Sequence, residues 1–143
     1  AMTRASAKVR PRETRAGTLQ EKIADAPDLP GRFQGLLSGQ VERAFAFAEE
    51  VAGDPAQEDK GRLATNALYH AAAAVLLAWE GATVGAAGGD ARRLLLSRMV
   101  VDHRLLPQDP LASGENRFDK AAAVLLLQDD PVPLARVTDT LAL

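Results

Sequence analysis

From Leu63 to Trp79 the chain carries no formal charge, and its small side chains recur at the spacing of a helix. Ala64, Ala67, Ala71, Ala74, Ala78, Gly81 and Gly85 alternate three and four residues apart, which places them in one stripe. Leu63, His70, Leu77 and Val84 border that stripe on one side, and Leu68, Val75 and Ala82 border it on the other. Tyr69 and Leu76 fall on the opposite side of the cylinder. The pattern predicts a helix over about residues 63–84 whose small-residue seam lets a neighbouring helix settle closely. A helix apolar around most of its circumference belongs in the middle of a bundle or at a subunit interface, because a surface helix needs only one apolar stripe. A membrane span is the rival reading. It is rejected on length, since spanning takes about 20 apolar residues, and on the polar Thr65, Asn66 and His70 within an alanine-rich run.

Gly85, Gly88 and Gly89 follow, then Asp90 in the position of an N-cap, so the chain is expected to reverse there. A second helix over about residues 91–106 completes an αα-hairpin, with Ala91, Leu94, Leu95, Val101 and Leu105 facing inward. Arg98 and Asp102 fall in the same apolar arc, four residues apart, where their side chains can meet. Buried charges demand partners. These residues are therefore read as an internal ion pair, joined by His70 to make the candidate polar cluster His70, Arg98 and Asp102. Leu96 and Val100, like Tyr69 and Leu76, lie on the back of the hairpin and require cover from the helix over residues 33–51 or from a second copy. The glycines lack the lysine and strand context of a phosphate-binding loop.

The rest of the chain is organised around that hairpin. Residues 1–16 form a basic tail with Arg4, Lys8, Arg10, Arg12 and Arg15 against Glu13, and residues 17–143 form one helical domain. Thr18 and Glu21 match a capping box ahead of a short helix over 19–25. Phe33, Leu36, Leu37, Val41, Ala44, Phe45, Ala48 and Val51 mark an amphipathic helix, in which Gly35 and Gly39 signal either close contact or local weakness. Residues 54–61 read as an exposed connection. Further helices are expected over 116–128 and 134–143, the first stopped by Asp129, Asp130 and Pro131.

An all-α helical bundle fits the composition, which is 47% hydrophobic but only 4% aromatic, whereas sheets favour aromatic and β-branched side chains. A net charge of −2 gives no general attraction to nucleic acid, and zero cysteines removes disulfides, thiolate metal sites and cysteine nucleophiles. With no hydrophobic leader visible, a cytoplasmic location is expected. His70 and His103 are the only histidines, and they match no compact metal motif. Ser97 and Ser113 lie outside any nucleophile-elbow pattern, and Glu49 and Glu50 are adjacent on a solvated helix face. No catalytic constellation is assembled by spacing alone.

The stretch ALYHAAAAVLLAWEG, residues 67–81, followed by GDARRLLLSRMVVDHRLLPQDPL, residues 89–111, resembles the C-terminal helical region of bacterial proteins of the acyl-CoA dehydrogenase family. That resemblance implies an accessory piece of an FAD-dependent enzyme acting on acyl-CoA thioesters. The chain lacks the family's glycine-rich flavin-contact motif, a recognisable catalytic-glutamate segment and a β-domain, so no catalytic, cofactor-binding or metal residue is assigned and no FAD is expected on this chain. Three functions are open at this stage. They are a non-catalytic C-terminal helical domain serving subunit packing or covering the main body of a dehydrogenase-like flavoprotein, an independent dimerisation or small-ligand-binding module of the regulator-effector kind, and a small cofactor-independent enzyme. The expected partner is a second copy or the remainder of a dehydrogenase-like protein, with no membrane and no nucleic acid.

Overall fold

The computed structural model describes residues 15–112, 114 and 116–143. Most of the basic tail, residues 1–14, and Ser113 lie outside the described residues. Among the described residues the chain forms six α-helices and no strand: α1 over residues 15–25, α2 Gly31–Gly53, α3 Gly61–Ala86, α4 Arg93–Val100, α5 Arg117–Leu126 and α6 Leu134–Leu141. All-α is the observed class.

The hydrophobic centre collects Phe33, Leu37 and Val41 from α2, Ala74, Val75 and Ala78 from α3, and Leu94 and Leu95 from α4. Phe118, Ala122 and Leu125 of α5 and Val137 and Leu141 of α6 close it from the C-terminal side. Each large side chain taken fully from water contributes about 1.5–3 kcal/mol. The amphipathic helices are thus held by this shared centre more than by their own propensity.

Along α3 the small-residue seam is the packed side. Ala64, Ala71, Ala74, Ala78 and Gly81 are buried, with α2 and α4 lying against the helix. At Gly81 the approach is backbone to backbone, because a methyl group there would stand 2.5 Å from the Leu94 amide nitrogen. Ser97 adds a polar stitch to that seam, its buried hydroxyl donating to the Ala74 carbonyl at 2.6 Å. On the other flank, α1 is fixed by Ser38 Oγ donating to Gln20 Oε1 at 2.8 Å and by the Lys22 ammonium 3.6 Å from the centre of the Trp79 ring.

Several local expectations are corrected. Thr18 lies inside α1, so the Thr18–Glu21 capping box does not start it; Arg15 and Ala16 are good helix formers and carry the helix further back. Residues 54–61 are ordered as well as exposed. Asp54 accepts from the Ala56 amide at 3.0 Å and starts a 3₁₀ turn, Pro55–Lys60, that feeds directly into α3. With its carboxyl also bonded to the Gln57 side-chain amide, Asp54 titrates below the ordinary carboxylate value.

The second hairpin helix is not a uniform helix over residues 91–106. It starts at Arg93 after the turn at Gly88, whose φ of +86° suits glycine. Past Val100 it widens into a π-helical turn, Val101–Leu105, in which the Leu106 amide donates to the Val101 carbonyl at 2.9 Å. Pro107 cannot donate the next bond, so the chain leaves the helix there. The α5 start is capped by Asn116, its Oδ1 accepting from the Asp119 amide at 3.1 Å.

Candidate functional site

Two of the three residues in the sequence-derived cluster come together. Arg98 Nε donates to Asp102 Oδ2 at 2.8 Å, the side chains retaining 21% and 15% of their exposure. The same guanidinium donates through Nη1 to the Leu141 carbonyl at 3.0 Å and stacks over Phe118 at 4.6 Å. It therefore ties α4 to α5 and α6 at once. The pair spans the junction between α4 and the π-helical turn, and the Gln108 side-chain amide donates to the Asp102 carbonyl just beyond.

His70 does not join them. Its Nδ1 lies 2.8 Å from the Asn66 carbonyl of its own helix, and its ring meets Tyr69 edge-on at 5.3 Å between centres. The Arg98 guanidinium is turned instead to the Leu141 carbonyl of α6 and the Phe118 ring of α5. The cluster is Arg98 and Asp102 alone.

Spacing did not foresee the polar group that fixes the hairpin turn. Asp90 Oδ1 accepts from the Arg92 amide at 3.1 Å, from the Val132 amide at 3.2 Å and from Arg92 Nε at 3.1 Å, and Oδ2 lies 2.7 Å from Arg92 Nη2. Arg92 Nη1 reaches on to the Gln128 carbonyl at 2.5 Å, while the Ala91 amide donates to the Val132 carbonyl at 2.9 Å. This clamp joins the α3–α4 turn to the α5–α6 connection. The bonded Arg92 guanidinium holds the Asp90 carboxyl below its ordinary range, against the opposing effect of burial, and the Arg92 and Val132 amides add to it. The one sequence signal for the clamp was Asp90 as a helix cap; the helix instead starts at Arg93 with Arg92 in the cap position and no side-chain cap, and Asp90 bonds the Arg92 amide in the turn ahead of it. Val132, 42 residues away, was beyond any local rule.

The remaining histidine, His103, sits at the surface with Nε2 3.0 Å from Asp119 Oδ2 of α5. Ser97 is spent on its packing bond to Ala74. No group of three His, Asp or Glu side chains among the described residues is placed to hold a metal ion.

The larger surface feature is apolar. Tyr69 retains 69% of its exposure, Leu76 45% and Leu96 39%, and Leu63 and Val84 are exposed as well. These residues line the outer side of α3 and the adjoining edge of α4, and α2 does not cover them because it packs on the opposite flank of the seam. By length and composition the helical run through α3 is apolar enough to cross a membrane. Beside it Glu80 is paired, its Oε2 accepting from Arg93 Nη1 at 2.9 Å. Comparison with protein-family models, curated proteins and solved structures returned no match for the chain.

Proposed function

We propose that this chain is a non-catalytic helical association domain, of the kind a C-terminal helical region of an acyl-CoA dehydrogenase-like protein would supply, and that it works by docking the outer face of α3. The observation that carries this reading is the exposure of Tyr69, Leu76 and Leu96 on a face without charge from Leu63 to Trp79. Twofold pairing would bury this patch twice, and Glu80 beside it is already matched by Arg93.

Size sets the strength. A helix of 26 residues is about 39 Å long and offers roughly 400 Å² along one side, about half of what one partner contributes to a standard stable interface. Leu96 widens the patch, whereas Val100 packs against the core. A second copy alone would then be held weakly, and a larger helical body would cover the face more fully. The chemistry of a flavoenzyme is not assigned to any residue of this chain.

Sedimentation velocity from about 1 μM to 1 mM tests the proposal. The expected result is a concentration-dependent dimer that is lost in Leu76→Glu and Tyr69→Glu while the far-UV circular dichroism and melting curve stay close to those of the parent. A strict monomer throughout would overturn self-pairing. Stoichiometric flavin retained after desalting would overturn the non-catalytic reading.

A further inference from the structure

Among the described residues the buried polar side chains are those of Gln40, Ser97 and Thr140. Ser97 donates to the Ala74 carbonyl at 2.6 Å and Thr140 to the Arg136 carbonyl at 2.9 Å, so both hydroxyls are occupied. Gln40 differs. It is nine-tenths buried on the apolar face of α2, beside Leu37, Val41 and Ala44, and its one bond is long, Oε1 accepting from Arg43 Nη1 at 3.4 Å. The two N–H bonds of Nε2 find no acceptor among the described residues. No side-chain nitrogen sealed from solvent lacks a partner among those residues, so Nε2 faces open space.

That space is a cleft of about 380 Å³ between α2, the start of α3 and the π-helical turn. Ala44 and Phe47 of α2, Ala67 of α3 and Leu105 of the turn give it apolar walls. Arg43 and Glu50 are the charged side chains that line it among the described residues, and their charges cancel. Glu50 is also engaged outside the cleft chemistry, its Oε1 accepting from Gln57 Nε2 at 3.2 Å. The volume lies in the range of small-molecule sites.

A half-bonded amide buried where the helix otherwise places apolar groups weakens the fold, and a ligand that completes its bonds removes that cost. We propose that the cleft binds an uncharged, mainly apolar molecule through a carboxamide group paired with the Gln40 side-chain amide. Nε2 donates to the carbonyl of the ligand, and Oε1, which Arg43 engages at one lone pair, accepts from its N–H. Both bonds therefore come from a single side chain. The hydrocarbon lies against Phe47, Ala67 and Leu105. A carboxylate or an ammonium group is disfavoured, because it gives up hydration on entering a lining with no net charge to replace it.

Hexanamide, acetamide, hexanoate and hexylammonium, titrated separately into the ¹⁵N-labelled full chain at neutral pH, divide tail from headgroup and neutral from charged. Hexanamide is expected to shift the Gln40 side-chain NH₂ signals and the backbone amides of residues 43–47, 67 and 105. Acetamide and the two charged analogues are expected to bind ~5-fold or more weakly. Gln40→Leu keeps a side chain of similar bulk but no amide, so it should weaken hexanamide ~5-fold or more while melting no lower than the parent. Ala46→Phe narrows the mouth of the cleft from an exposed position, and it carries the test if Gln40→Leu does not fold; a similar weakening is expected with the melting curve unchanged. Gln40 signals that stay in place, unchanged hexanamide affinity in either variant, or a charged analogue that binds as tightly as hexanamide would each overturn the proposal. Shifts confined to Tyr69, Leu76 and Leu96 would do the same by placing the ligand on the association face, so this proposal and the docking role of α3 fail separately.

Discussion

The two sides of α3 invert the usual distribution of size. Its inner side, against α4, is built from Ala64, Ala71, Ala74, Ala78 and Gly81, all buried, while its outer side displays Tyr69 and Leu76 to water. The inner side is small because a neighbouring backbone takes the space that side chains would fill. Many close atomic contacts there replace the few large buried groups of an ordinary helix face, and each depends on the helix axes staying near. The outer side holds apolar area whose transfer from water the isolated chain never gains. The difference teaches that apolar character alone does not say which side of a helix faces the core; side-chain volume does.

Paired substitutions break this comparison most directly. Gly81→Ala places a methyl group 2.5 Å from the Leu94 nitrogen and 3.1 Å from the Arg93 carbonyl carbon, and neither backbone atom can turn aside. After the gain in helix propensity of about 1 kcal/mol, a net loss of about 2 kcal/mol or more is expected in urea unfolding. Leu76→Gln on the outer side should change monomer stability by no more than about 0.5 kcal/mol. Equal losses from the two changes would erase the distinction between the sides.

Asp90→Asn asks whether the turn clamp helps keep α3 and α4 close. The substitution removes the ion pair with Arg92 and weakens the bonds from the Arg92 and Val132 amides, for an expected loss of about 1–2 kcal/mol at pH 7. The pH dependence has a definite sign. Because the Asp90 carboxyl titrates below its ordinary value of 3.8 in the folded chain, its contribution is present above that value and is lost as the pH falls through the lower folded value. The stability gap between parent and variant should therefore narrow as unfolding is followed from about pH 5 towards pH 2. A gap that stays constant into acid would show that Asp90 acts by packing and not by charge.

A smaller effect sharpens the contrast between kinds of glycine. Gly39 of α2 has nothing within 4 Å of the place a methyl group would occupy, unlike Gly81. Gly39→Ala is expected to stabilise by about 0.5–1 kcal/mol in thermal or urea unfolding, through reduced freedom of the unfolded chain and better helix propensity. A loss there would mean that α2 has a close neighbour on that side.

Local pattern made the helices legible. The three-and-four spacing located α2, α3 and α5 within a few residues, and the stripe of small residues identified the side of α3 that packs. The same spacing put Arg98 and Asp102 on one face because an i, i+4 relation is written in sequence. His70 was misplaced because its partner choice depends on how far α3 is rotated about its axis, a quantity settled only by packing. The ties that close the C-terminal third, Arg98 to the Leu141 carbonyl and Asp90 to the Val132 amide, join residues 43 and 42 positions apart through backbone atoms. Every residue type offers those atoms, so no composition or motif announces them.

The reciprocal bonding at the turn has a consequence for motion. The Ala91 amide donates to the Val132 carbonyl, and the Val132 amide donates to Asp90. Neither hydrogen can trade with solvent deuterium while the other bond holds the two strands of backbone side by side. Exchange at both positions then reports a single opening event, the lifting of α5 and α6 as one cooperative unit away from a hairpin that stays shut.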